Sequence, residues 1–104
     1  MLVDALARLR DMGAKMLGVN CMNDPGEMAV LLRQIPAGYS LSVYPTAGQP
    51  RRRDSSVHYD LAPESFAACA RDFVSYGARL LGGCCGTTPT HIAFLAKAIA
   101  NLPP

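Results

Sequence analysis

The strongest constraint on this chain's fold is an alternation. Three short apolar runs, at residues 15–19, 39–44 and 78–81, lie between segments with helical spacing or helix-boundary residues. Strands that alternate with helices form βαβ units and a parallel sheet, because a parallel neighbour is reached only by a long crossover. Ahead of the first run, Leu2, Leu6, Leu9 and Met12 recur at helical intervals, and Gly13 suits a left-handed helix end. Beyond it, Asp24 is an N-cap, Pro25 fits the first helical position and Glu27 completes a capping box. Met28, Leu31, Leu32 and Ile35 form that helix's apolar face, and Pro36 and Gly38 end it. A third helix is expected from Pro63 to Gly77, with Phe66, Ala70 and Phe73 on one face. A fourth is expected from Thr88-Pro89 to Asn101. Between the second strand and the third helix, PTAGQPRRRDSSVHYDLA reads as a long loop, and loops of that length are often functional.

The order is α-β-α-β-α-β-α. With 104 residues, 50% of them hydrophobic and 17% charged, the chain has a globular balance and room for one domain. Two α/β architectures satisfy it. One is a very small doubly wound sheet. The other is part of a (β/α)8 barrel, which takes about 250 residues in full. A leading helix with no strand before it suits the barrel piece.

Composition excludes several functions. A formal charge of +2 is too small to suggest a nucleic-acid partner or a membrane surface. No stretch reaches the roughly 20 apolar residues of a membrane span. Asp4, Arg8 and Arg10 interrupt the apolar residues where a secretory leader would need them unbroken. A cytoplasmic, reducing location is therefore expected. There, four cysteines are metal ligands, catalysts or core fillers rather than disulfides.

Function in parallel α/β folds collects at the C-terminal ends of the strands. Cys21 follows the first strand, and Cys84 and Cys85 follow the third. Three thiolates would leave one zinc position open, the pattern of a catalytic site, whereas four close it. Gly82 and Gly83 are expected to supply backbone angles closed to other residues, turning both neighbouring sulfurs toward one metal. The last helix starts close by, and its partial positive charge favours thiolates. From the residues alone, other readings stay open: two small buried side chains, a thiol-redox pair, or a small structural-zinc module with Cys69 or a histidine as fourth ligand. Cys69, mid-helix near Phe66 and Phe73, is expected to pack in the core. His58 and His91 are candidate ligands or bases, but solvated or capping roles are expected for both. Arg51, Arg52 and Arg53 form a solvent-facing run that an anionic substrate could meet, and Tyr44 and Tyr59 are expected to be packing residues.

Three motifs carry a resemblance. GVNC at 18–21, VYPTAGQP at 43–50 and GGCCGTTPTHI at 82–92 resemble the homocysteine S-methyltransferase family, in order and spacing from about residue 14 onward. The resemblance implies a zinc-dependent (β/α)8 (TIM) barrel, of which this chain would be the C-terminal three βα units with their parallel strands, residues 1–104 forming the C-terminal part of a homocysteine-binding domain. It implies Cys21, Cys84 and Cys85 as the zinc ligands, with Asn20 a candidate substrate contact and no catalytic residue beyond the zinc site. The implied reaction moves a methyl group to the thiol of homocysteine, forming methionine. Betaine, S-methylmethionine, methylcobalamin and methyltetrahydrofolate all remain open as donors. The implied partners are the N-terminal barrel segment and a fused folate, cobalamin or reductase domain; Tyr59, Pro63 and Phe66 are similar to members fused to a methylenetetrahydrofolate reductase. Thr46 stands where the family pattern YPNAG has Asn. Three units of eight would leave sheet edges and an inner face open, so this stretch alone is expected to be inactive and to aggregate or stay partly unfolded.

Overall fold

The computed structural model describes residues 2–20 and 24–100. Its elements run α1 (Leu2–Asp11), β1 (Leu17–Asn20), α2 (Pro25–Leu32), β2 (Leu41–Tyr44), β3 (Pro50–Arg53), β4 (Ser56–Tyr59), α3 (Pro63–Ala67), α4 (Ala70–Ser75), β5 (Ala78–Leu81) and α5 (Pro89–Ala100). The sheet is parallel, as the alternation predicts, and its strand order is β1-β2-β5. β2 is its centre, and Leu41 and Val43 on that strand are fully buried.

The local signals act as read. Asp24 Oδ1 accepts the Glu27 N–H at 2.9 Å, and Glu27 Oε1 accepts the Asp24 N–H at 3.3 Å, closing the capping box of α2. A cap of this kind stabilises by about 1 kcal/mol. Leu6 of α1, Met28 and Leu32 of α2 and Phe73 of α4 pack with Leu17, Leu41, Val43 and Ala78 of the sheet into one core. A second, smaller core gathers Ala47, Phe66, Ala70 and Leu95.

The other face of the sheet is different. Gly18, Ser42 and Leu80 form one register row across the three strands. Gly18 is exposed, Ser42 half-buried and Leu80 46% exposed. A bulge creates this arrangement. Leu41 pairs with Ala78 but Ser42 with Leu80, so Arg79 is the extra residue. Ala78 and Leu81 thereby both reach the packed side, and Leu80 turns to the open one. A bulge re-aims the residues beyond it, and beyond this one lies the glycine–cysteine run.

Two elements differ from the sequence reading. Within the expected long loop, β3 and β4 pair antiparallel, Pro50 opposite Tyr59 and Arg53 opposite Ser56. A two-residue connection joins them, with Asp54 at φ 56°, a left-handed angle that Asp tolerates. Arg51, Arg52, Val57 and His58 are all exposed. Among the described side chains of the ribbon only Tyr59 is even half-buried, so it shows no apolar alternation and periodicity could not reveal it. The expected third helix is also two helices. Ala68 and Cys69 form a turn between α3 and α4, so Cys69 is not mid-helix but stands at the N-cap position of α4, without a side-chain capping bond. Phe66 packs in the second core and Phe73 in the first, and the turn between them redirects the chain from one to the other. No glycine or proline marks it.

Candidate functional site

The cysteine pair sits on the extended end of the sheet. Beyond the strands, Gly82 N–H donates to Val43 O at 3.0 Å, Cys84 N–H to Pro45 O at 2.9 Å, and Ala47 N–H to Cys85 O at 2.9 Å. Residues 82–85 thus run hydrogen-bonded beside the turn after β2. That turn is rigid support: Pro45, Thr46, Ala47 and Gly48 are all buried. Thr46 Oγ1 donates to Gly48 O at 3.2 Å, so a hydroxyl closes the turn where the family pattern has an amide. On the far side, the Thr87 N–H (3.3 Å) and hydroxyl (2.8 Å) both donate to Cys84 O.

The glycines act otherwise than expected. Neither Gly82 nor Gly83 has a positive φ; that angle belongs to Gly86, at 77°. Gly82 and Gly83 are needed for space. A Cβ on Gly82 would lie 3.0 Å from the Tyr44 ring, and one on Gly83 would strike the Thr87 side chain. Gly86 needs both freedoms, since a Cβ there would also run into the Tyr59 ring. Tyr44 and Tyr59 are packing residues, as expected, and what they pack against is the cysteine loop.

The sulfurs of Cys84 and Cys85 lie 3.9 Å apart, and the two form no disulfide. Tetrahedral ligands held about 2.3 Å from a zinc ion lie about 3.8 Å from one another. The pair therefore already has the spacing of two ligands on one ion. Cys84 is half-buried and Cys85 exposed, so the pair stands at the surface of the site end. Cys21 lies outside the described residues. Asn20, just before it, is the last residue of β1, exposed, and the register partner of Tyr44. In a parallel sheet the ends of β1 and β5 share one side, two strand spacings of about 4.8 Å apart.

The remaining candidates do not join the pair. Among the described residues no three of His, Cys, Asp and Glu converge on one point. Cys69 packs against the first core, where burial, and then Asp72 and Asp24, push its thiol above its ordinary value. His58 Nε2 meets Ser56 Oγ at 2.9 Å out on the hairpin. Arg51 pairs with Asp60 at 3.1 Å and is solvent-facing. His91 is only 7% exposed, packs edge-on against Phe66 and makes a capping contact with Thr88. Both of its ring nitrogens are engaged, Nδ1 by Thr88 and Nε2 by Leu61 O at 2.8 Å. The sequence reading expected a solvated or capping role; the cap is made, and the side chain is not solvated. It missed the burial and the bond to Leu61, thirty residues away in the chain. It also missed Asp60, whose carboxylate accepts the Gln49 N–H at 2.9 Å and Arg51 Nε at 3.1 Å and is held below its ordinary pKa of 3.8, first by the Gln49 bond.

No helix of the described residues is long and apolar enough to cross a membrane. Comparison with known proteins agrees with the motifs and extends their reach upstream. Residues 1–99 match the homocysteine S-methyltransferase family model, so α1 belongs to the match as well. The methionine synthase of Mycobacterium tuberculosis (strain ATCC 25618 / H37Rv) is 40% identical over 101 residues, which is 94% of this chain and 8% of that protein. The methionine synthase of Mycobacterium leprae (strain TN) is 40% identical over 100 residues, 93% of this chain and 8% of that protein. The chain thus spans about 8% of the length of these relatives. With three parallel strands, a cysteine pair at their C-terminal end and a family match that covers nearly every residue, this chain belongs to the homocysteine S-methyltransferase family.

Proposed function

We propose that this chain is the C-terminal three βα units of a (β/α)8 homocysteine-binding domain, and that it carries the zinc site for methyl transfer to homocysteine. The observation that carries the metal reading is the 3.9 Å separation of the Cys84 and Cys85 sulfurs, the spacing of two ligands on one tetrahedral ion. The barrel reading is supported by the one-sided packing of the sheet. Helices cover one face, and the opposite row of Gly18, Ser42 and Leu80 stays accessible, as the lining of an inner barrel core would. The 8% coverage of much longer relatives fits a segment of a larger protein.

Cys84 and Cys85 would hold the ion from the end of β5, and Cys21 from the end of β1. Three cysteine ligands would leave a fourth position for the substrate. Zinc bound there would supply a Lewis acid that keeps the homocysteine thiol, ordinarily of pKa about 8.5, deprotonated and nucleophilic. The thiol proton leaves to solvent. A sulfur–carbon bond then forms to the methyl group as its bond to the donor breaks, and the donor keeps that electron pair. Asn20, exposed at the end of β1 and next to Cys21 in the sequence, would contact the substrate. The hydrogen bonds from Cys84 N–H and to Cys85 O hold the pair in place, so little reorganisation accompanies binding. Selection of the methyl donor would rest on segments outside these three units.

A four-ligand structural site is disfavoured by the geometry. Cys69 is committed to the first core and both nitrogens of His91 are hydrogen-bonded. The test is made in the full-length polypeptide. Cys21→Ser, Cys84→Ser and Cys85→Ser are each expected to lower bound zinc and to reduce methyl transfer at least about 100-fold, whereas Cys69→Ser keeps both. Full zinc and full transfer in Cys84→Ser would refute the assignment, and loss of zinc in Cys69→Ser would favour the structural module.

A further inference from the structure

We infer that His91 is a positioning residue for the cysteine loop, acting across the molecule through Leu61 and Ala47; the inference rests on the proposal that Cys84 and Cys85 hold a metal. Three backbone-anchored bonds make the path. His91 Nε2 meets Leu61 O at 2.8 Å, Leu61 N–H donates to Ala47 O at 3.1 Å, and Ala47 N–H donates to Cys85 O at 2.9 Å. The chain from Cys85 to His91 closes the ring. Its last link is fixed at both ends, because Thr88 N–H donates to His91 Nδ1 at 3.2 Å and His91 N–H donates to Thr88 Oγ1 at 3.3 Å.

These contacts assign the tautomer. A backbone N–H can only donate, so Nδ1 is the bare nitrogen. A carbonyl can only accept, so Nε2 carries the proton. The bonds between Thr88 and His91 form a capping box in which histidine stands where glutamate is usual. Glutamate would complete that box equally well. It could not donate to Leu61 O. The residue type at 91 is therefore explained by the second bond, which ties α5 and the cysteine loop to the segment after the hairpin. His91 is 7% exposed and has the Phe66 ring against it edge-on, at 5.3 Å between centroids, so its ring is held in one orientation. Cys85 itself is exposed, and its carbonyl is held by Ala47, which is fully buried. An exposed ligand gains its fixed position from this buried ring of bonds, in the way outer partners commonly orient metal ligands.

The substitutions that separate the two roles are His91→Glu and His91→Gln. Glu keeps the acceptor for Thr88 and loses the donor to Leu61. Gln keeps an acceptor and a donor side by side and serves as the conservative rescue. Each is made in the full-length polypeptide, with thermal unfolding to verify folding. The readouts are zinc affinity, by competition with a chromophoric chelator, and the visible spectrum of the cobalt-substituted protein. His91→Glu is expected to weaken zinc binding about tenfold or more and to shift the cobalt–thiolate bands, while His91→Gln stays within about threefold of the parent. A folded His91→Glu with parent affinity and spectrum would overturn the inference and leave His91 a helix cap alone. Equal zinc binding by the parent and Cys84→Ser would overturn the metal reading, and this inference with it.

Discussion

Gly13 and Gly86 both have positive φ, 108° and 77°, yet they serve different ends. A Cβ on Gly13 would meet nothing within 4 Å, whereas one on Gly86 would run into the Tyr59 ring. Gly13→Ala therefore costs only the left-handed conformation, about 1 kcal/mol. Gly86→Ala adds a steric clash and is expected to cost about 3 kcal/mol. Denaturant unfolding of the two variants measures the difference, and equal costs would show that Tyr59 yields without penalty. Gly86 directly follows Cys85, so Gly86→Ala is also expected to lower zinc affinity while Gly13→Ala leaves it unchanged. At this scale the cysteines of the candidate site could be singled out from the sequence. The three cysteines stood out because strand ends could be placed from apolar runs. The parts played by Gly82, Gly83 and Gly86 were not legible, because they depend on Tyr44, Thr87 and Tyr59 arriving across the fold.

Among the elements, the hairpin is the one the sequence hid. Its base is closed by Asp60, which takes a hydrogen bond from the Gln49 backbone and an ion pair from Arg51. The carboxyl is held below its ordinary 3.8, chiefly by the Gln49 bond. A depressed folded pKa means that this closure is fully present above the unfolded value. It is lost as pH falls from about 4 through the lower folded value. The Gln49 amide proton is expected to shift in NMR across that acidic window, and to stop doing so in Asp60→Asn. A flat Gln49 signal from about pH 5 to about pH 2 in the parent would contradict the contact. The capping box of α2 was readable because Asp24 and Glu27 are three residues apart. The Gln49–Asp60 closure spans eleven residues and leaves no local mark. The turn at Ala68–Cys69 was equally hidden, since Phe66, Ala70 and Phe73 keep helical spacing through it.

For the molecule as a whole, the decisive asymmetry is between the two faces of the β1-β2-β5 sheet. One is sealed by α1, α2 and α4, and the other keeps Leu80 46% exposed beside Gly18 and Ser42. β1 and β5 each have one paired side among the described residues. A sheet with one uncovered face and two available edges is prone to associate. The isolated 104-residue chain is expected to unfold over a broad range or to aggregate, and a chain completed to a full barrel to unfold cooperatively. Calorimetry of both decides it; a sharp transition in the isolated monomer would count against the barrel reading. By itself the sequence determined the α/β class, the parallel order, the helix caps and the family, because these depend on local spacing and on motifs a few residues long. Only the tertiary structure decided the bulge at Arg79, the exposed hairpin, the space the glycines leave and the link from His91 to Leu61. Each of those depends on which distant segments meet, and packing, not local preference, sets that. Cys84 and Cys85 belong to both: chemistry named the pair, and the bonds to Pro45 and Ala47 hold it where a metal could be shared.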